Sequence, residues 1–376
     1  MPDPTRRRVL TSAGRLVLGT AGLGTAGLGT ASLGTAGLAA PAVARERRVW
    51  RLATSWPKNA PGPGTTAARL AERITALSGG RLTVELHAAG ELVPALEVFD
   101  AVAAGTVELG HSAALFWSGK MPSAPYFTAV PFGLLPEGHD AWLTAGGGQA
   151  LWDELYGAFG VKPFAAGNSG IQMGGWYRKP IAGLEDLKGL RVRMPGLGGE
   201  VLRRLGAAPT TLPPGEIFTA LSTGAIDGAE FLGPWQDLSL GLNRAARYYL
   251  WPGWHEPNGS AEALVNAAAY AALPEDLQRL IATCCEAENR RGPAEAEWRN
   301  AEALARLRED PEVTLAAWPE PVLRAARAQS EAVLAELAEA SALDRRLRDS
   351  YAAAKARLLP WGRVGRHALL GAQLGA

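Results

Sequence analysis

Cysteine is almost missing from this chain. There are two in 376 residues, and those two, Cys284 and Cys285, are neighbours. Consecutive cysteines strain the geometry that a disulfide requires, and no third thiol or nearby histidine joins them as a metal site would demand. A disulfide framework is thereby excluded, and the pair reads as two small buried side chains. Histidine is scarce as well: His87, His111, His139, His255 and His367 are scattered, poor material for a metal cluster or a histidine-based triad. The formal net charge is +1, and beyond residue 44 it is −2 (34 basic against 36 acidic residues) with no basic block, so there is no electrostatic footprint for nucleic acid or an anionic membrane surface. Beyond residue 44 no apolar run is long enough to span a bilayer.

Catalytic signatures are missing too. The sequence contains no phosphate-binding Gly-Lys-Ser/Thr loop, no Gly-x-Ser-x-Gly and no His-Glu-x-x-His. Gly196-Leu197-Gly198-Gly199 follows a predicted strand and opens a helix, where a dinucleotide loop would sit. Val201 stands where the last glycine of that fingerprint is needed, so the segment reads as a tight turn. His255-Glu256, within Trp254-His255-Glu256-Pro257, has the composition of a general acid/base pair. Sequence neighbours usually point apart and no nucleophile lies close by, so a structural role is expected for the pair.

What is present begins at the N-terminus. A basic run over residues 5–10 carries the twin arginine Arg6-Arg7, and an uncharged Gly/Thr/Ala/Leu stretch fills residues 16–44. Ala42-Val43-Ala44 then forms a small-x-small site before charge resumes at Arg45. This is the pattern of a secretory signal cleaved near Ala44, with the twin arginine pointing to the pathway that exports folded proteins. An anchor is the competing reading, but glycine and threonine dilute the apolar run.

The rest alternates strand and helix. Residues 49–54 read as a strand, 67–77 as a helix and 82–86 as an alternating strand. A helix over 99–104 stops at Gly105 before a strand at 107–110. The same phrase recurs as a helix over 216–223, Gly224 and a strand over 225–230. Two such corners predict an α/β chain of two similar lobes facing a cleft. After Pro274 the pattern is helical to the end, including an Ala/Glu/Arg-rich run over 321–358 with both charges on its polar side.

Three central passages are dense in cleft-type residues: Asn168-Ser169-Gly170-Ile171-Gln172-Met173-Gly174-Gly175-Trp176, Leu187-Lys188-Gly189-Leu190-Arg191-Val192-Arg193-Met194-Pro195-Gly196, and Ala229-Glu230-Phe231-Leu232-Gly233-Pro234-Trp235-Gln236-Asp237. Together with Thr54-Ser55-Trp56-Pro57, Ala129-Val130-Pro131-Phe132 and Pro252-Gly253-Trp254-His255-Glu256, they resemble the solute receptors of TRAP transporters (tripartite ATP-independent periplasmic transporters). The similarity is to the branch that binds 2-oxo and 2-hydroxy monocarboxylates, and it covers nearly all of the chain after the signal.

The resemblance implies a two-lobed periplasmic-binding-protein-like α/β fold with a ligand cleft between lobes and a helical C-terminal region. Lobe I would take residues 45–165, with part of 232–265 crossing back. Lobe II would have its core at 166–231, and 266–376 would form a mainly helical part. Arg193 aligns with the arginine that grips the ligand carboxylate, and a guanidinium suits both carboxylate oxygens. Gln172, Glu230 and the backbone carbonyl of Phe231 align with the ligands of a sodium or calcium ion bound together with the substrate. Such an all-oxygen set suits a hard cation. Asn168 is implied as an amide donor, and Trp56, Phe116, Trp117 and Trp176 as cleft walls. Phe116 stands where relatives commonly carry an aromatic hydroxyl, which points to a longer or more apolar acid than pyruvate. Arg191, two positions earlier, does not match the anchoring position and is expected at the surface or packed within the lobe.

The resemblance further implies a non-enzymatic periplasmic receptor, no nucleic-acid partner, transporter membrane subunits as partners, and a homodimer through the C-terminal helix. Two alternatives stay open at this point. One is a receptor for a bulkier aromatic acid or a polyol; the other is an exported carboxylic-acid lyase or hydrolase using His255-Glu256.

Overall fold

Short alternating stretches of β-branched, aromatic and small residues produce eleven strands among the residues that the computed structural model describes, 47–375. The expected leader and its cleavage site lie outside these residues. In chain order the strands are β1 (Arg48–Thr54), β2 (Leu82–His87), β3 (Leu109–Ser112), β4 (Val161–Asn168), β5 (Gly175–Tyr177) and β6 (Arg191–Arg193). They continue with β7 (Ala208–Thr210), β8 (Gly228–Ala229), β9 (Tyr248–Trp251), β10 (Ser260–Asn266) and β11 (Thr314–Ala317).

The strands form two sheets, one per lobe. The first has the order β2-β1-β3-β10-β4, with β10 antiparallel to both of its neighbours. The second has the order β11-β9-β5-β8-β6-β7. Alternation along a strand sends successive side chains to opposite faces, and each sheet accordingly separates two cores. In β10, Ala263 and Val265 join one buried cluster and Leu264 the other. In the second sheet Trp176 and Tyr249 lie on one side, Tyr177 and Leu250 on the other.

The helix stops expected at glycine are present. Gly105 follows the helix Val98–Ala103 with φ +72°, and Gly224 caps the helix Ile217–Thr223 with φ +74°, a conformation that side chains disfavour. The strands after them are shorter or later than the residue pattern implied, because only Leu109–Ser112 and Gly228–Ala229 find partners. Within 232–265, β10 crosses back to the first sheet, whereas β9 belongs to the second. The mainly helical part contributes a strand that its pattern did not flag, β11, parallel to β9.

The helix Glu275–Glu309 runs for 35 residues with Pro293 inside it. It packs on β4 and the helix Pro63–Leu77 of the first lobe, and on Pro234–Ser239 of the second. Cys284 and Cys285 are free and buried on it. The Ala/Glu/Arg-rich run is two helices. Ser341 caps the second of them, its hydroxyl accepting from the Asp344 amide, so Glu320–Leu337 and Ala342–Gly362 pack against different lobes. No described helix is long and apolar enough to cross a membrane.

Candidate functional site

Three chain segments leave the sheets where the lobes meet: residues 169–174 after β4, 230–233 after β8, and 252–259 between β9 and β10. With the end of β6 they enclose a cavity of about 640 Å³ of unfilled space, mouth included. Trp56, Ala113 and Phe116 reach it from the first lobe, Arg193, Phe231 and Gln236 from the second. The middle of the long helix closes one side through Gly292 and Glu295. A Cβ at Gly292 would stand 2.7 Å from the Asn168 amide nitrogen, so only glycine lets helix and β4 approach this closely there.

Arg193 ends β6 and is 2% exposed. Its Nε donates to the Leu212 carbonyl (3.3 Å) and its Nη1 to the Glu230 carbonyl (2.7 Å), and Nη1 also pairs with the Glu230 carboxylate. Glu230 is fully buried, and its other oxygen meets His255 Nε2 at 3.2 Å. Glu256 is buried beside them and accepts from Gln172 Nε2 at 2.9 Å; the same nitrogen donates to Ser169 Oγ at 3.0 Å. The ligating atoms of Glu230, His255 and Glu256 all lie within 4.8 Å of one another. Burial, and then the charge of Glu230, push the Glu256 carboxyl well above its ordinary range, against Arg193 and the Gln172 bond, which pull it down. Gln172 Oε1 is buried and accepts no hydrogen bond.

Arg193, Gln172, Asn168, Trp56, Phe116 and Phe231 all line the cavity, and Glu230 sits directly behind Arg193. Asn168 uses its amide within the wall: Nδ2 donates to Asn258 Oδ1 (2.6 Å) and Oδ1 accepts from the Gly170 amide (2.8 Å). Trp56 Nε1 donates to His111 Nδ1 at 2.8 Å, and burial lowers the pKa of that imidazole to about 4. Arg191 lies at the surface, bidentate on Asp227.

Two expected wall residues are elsewhere. Trp117 points into the first lobe's core, its Nε1 donating to the buried Glu262, while its neighbour Phe116 takes the cavity side of the same 3-10 turn. Trp176 stacks on Tyr249 with ring centroids 4.0 Å apart and donates to Asp237 Oδ2 at 3.1 Å. Each indole N–H has found a buried carboxylate, and that contact turns the ring away from the cavity.

The residues that sequence reading missed are Glu256 and Gln236. His255 and Glu256 both converge on the site, against the expectation that neighbours point apart, because residues 252–259 form an irregular turn in which strand alternation does not apply. The one signal for Glu256 was its place among apolar residues in a loop, where an unpaired acid is out of character.

Comparison with known proteins gives a consistent result. Residues 52–341 match the DctP family, described as "Bacterial extracellular solute-binding protein, family 7". The chain is 42% identical over 315 residues to the monocarboxylate 2-oxoacid-binding periplasmic protein all3028 of Nostoc sp., covering 84% of this chain and 86% of that protein. Among solved structures it is similar to a TRAP transporter solute-binding protein from Bordetella bronchiseptica with calcium and picolinate bound. The TM-score is 0.86 and the identity 35%, covering 88% of this chain and 98% of that one. It is also similar to one from Pseudoalteromonas atlantica with bound sodium and pyruvate, with TM-score 0.84 and 37% identity, covering 86% and 99%.

Proposed function

The chain belongs to the DctP family of bacterial extracellular solute-binding proteins, family 7, and from that membership we propose that it is the periplasmic receptor of a TRAP transporter for a 2-oxo or 2-hydroxy monocarboxylate. The ligand is held by Arg193 and by a sodium or calcium ion, and is delivered to the transporter's membrane subunits. The observation that carries this reading is the buried cluster of Arg193, Glu256 and Gln172 at the cavity wall with Glu230 behind them. It joins one guanidinium to a set of oxygen donors with an acceptor to spare.

The residues fit a hard cation. Gln172 Oε1 has no donor within the protein. Two carboxylates share a space that only one charge could occupy comfortably, and oxygen donors of this kind are what sodium and calcium take. Glu230, Glu256, Gln172 and the Phe231 carbonyl would hold the ion, which supplies a positive point that a chelating acid can share. Arg193 spends Nε and Nη1 on the protein, while its Nη2 donates no bond among the described residues, leaving an edge for a ligand carboxylate. Pyruvate and picolinate, bound in the two similar structures, each place a second donor atom next to a carboxylate. A cation beside an arginine selects that chemical pattern.

The C-terminal stretch supports a second protomer as partner. Trp361, Val364, Leu369, Leu370 and Leu374 are all more than half exposed, an apolar surface larger than single scattered residues would give.

The test is calorimetric titration of pyruvate into the protein stripped of metal, with calcium, with sodium and with neither. Saturable binding that needs one of the ions and is lost at least 100-fold in Arg193→Ala is the expected result. Binding of equal affinity in that variant, or binding indifferent to both ions, would overturn the assignment.

A further inference from the structure

Thr128 Oγ1, Ser260 Oγ and Gln172 Oε1 on the cavity wall have no partner among the described residues, and Gln236 goes further, with both of its polar atoms unpaired. It lies on the helix Pro234–Ser239, is 1% exposed, and neither Oε1 nor Nε2 has a hydrogen-bond partner within the protein. A primary amide offers two donor hydrogens and an acceptor oxygen, and buried groups of this kind are as a rule satisfied. Its terminal amide lies against Gly62, where a Cβ would stand 2.8 Å from Nε2. Gly62 has φ +78° and precedes Pro63, the first residue of a first-lobe helix, so the backbone conformation and the proximity of the amide both require glycine. Gln236 and Gly62 both line the cavity.

The charged cluster does not use this amide. The hydrogen bonds of Arg193, Gln172 and Glu256 run to Leu212, Glu230, Ser169 and one another. None of the bonds that hold that cluster together reaches Gln236.

We propose that Gln236 is a specificity-determining residue for the chain of the bound acid. The ligand held through Arg193 and the cation carries a neutral hydrogen-bonding group, a hydroxyl or carbonyl, that the Gln236 amide takes up. This rests on the receptor reading above. Charge balance makes the group neutral. Among the described residues that line the cavity Arg193 is the only cation, and the nearby acid Glu295 is already paired with Arg69. A second carboxylate would therefore be buried without a counter-charge. A plain alkyl chain would cover the amide without satisfying it, and sites built around a buried hydrogen-bonding group reject analogues that lack its partner.

Two acids of equal length separate the possibilities: 4-hydroxy-2-oxobutyrate and 2-oxopentanoate, which differ by a hydroxyl in place of a methyl. Each is titrated calorimetrically into the full protein with calcium in excess, alongside pyruvate. The hydroxy acid is expected to bind at least tenfold more tightly than 2-oxopentanoate, and Gln236→Leu is expected to erase that preference. A wild-type preference below tenfold, or one that survives in Gln236→Leu, overturns the proposal. The wild-type ratio decides the matter even if the variant does not fold. Pyruvate separates the two levels: binding of pyruvate without discrimination removes only the role of Gln236, whereas no binding of any of the three removes the receptor reading and this one with it.

Discussion

Glu262 and Glu256 are buried acids six positions apart, and they have opposite surroundings. Glu262 lies in β10, inside the first lobe, with one oxygen accepting from Trp117 Nε1 and the other from Tyr156 OH at 2.9 Å. Glu256 lies in the irregular turn before β10, against Gln172 and a second acid, at the cavity wall. Asp237 repeats the first case in the other lobe, accepting from Trp176, from Tyr249 OH at 2.8 Å and from the Leu232 amide. Burial raises all three, Glu262 to about 8 and Asp237 to about 7. Burial alone therefore does not mark a ligand site. The mark is an acid crowded by another acid, next to an acceptor that nothing satisfies. A sealed acid with two donors is a structural clamp.

The largest test of that distinction is Glu256→Gln. Removing a crowded charge is expected to lower calcium affinity by about 100-fold, since the number of ligand charges sets cation affinity, while the melting temperature holds or rises. A lowered melting temperature with unchanged calcium affinity would place Glu256 among the clamps.

Glu262→Leu should do the reverse. It leaves an indole N–H and a phenol O–H without an acceptor, each costing about 1–3 kcal/mol. Urea denaturation should report that loss while pyruvate affinity stays within threefold. A Glu262→Leu protein of undiminished stability would show that the clamp contributes nothing.

A smaller and more graded effect is expected with pH. The folded chain keeps its proton on Glu262 up to about pH 8, whereas the unfolded chain loses it near the ordinary 4.5. The folded state binds more protons across that window, so this group's contribution to stability falls as pH rises through it, by on the order of a few kcal/mol. Glu262→Gln, which cannot ionise, should flatten the profile of melting temperature against pH. At Glu256 the raised carboxyl means that proton and cation compete, and calcium affinity should rise with pH. A calcium affinity flat from pH 5 to 8 would contradict this.

The smallest effect belongs to Arg191→Ala. Its partner Asp227 and its own side chain are substantially exposed, and surface pairs of this type contribute little. Pyruvate affinity should be unchanged. A loss comparable to that of Arg193→Ala would mean that the wrong arginine of the strand has been assigned.

The α/β character and the glycine-stopped helices were legible in the sequence because each follows from local periodicity or backbone preference, whereas strand alternation alone puts Arg191 and Arg193 on one face and does not separate the exposed arginine from the buried one. Arg193 and Gln172 at the cavity wall were legible only through family resemblance, since an arginine at a strand end is ordinary in isolation. Trp117 and Trp176 were misplaced because an aromatic beside a cleft segment says nothing about where its N–H will find an acceptor. Those acceptors, Glu262 and Asp237, are 145 and 61 positions away. β11 escaped notice because Thr314–Ala317 is short and lies between helices, so its strand character comes from pairing with β9. Glu256 was hidden by a rule of alternation that holds in strands and lapses in the turn it occupies.

The order of strands in the first sheet also dictates when that lobe can exist. β4 has a single neighbour, β10, and β10 is made only after β5 through β9, which belong to the other sheet. A ribosome that has released every residue through Asn168 has therefore produced an edge strand with no mate. The first sheet is complete only when Ser260–Asn266 arrives, so no segment ending before β10 contains all of its strands.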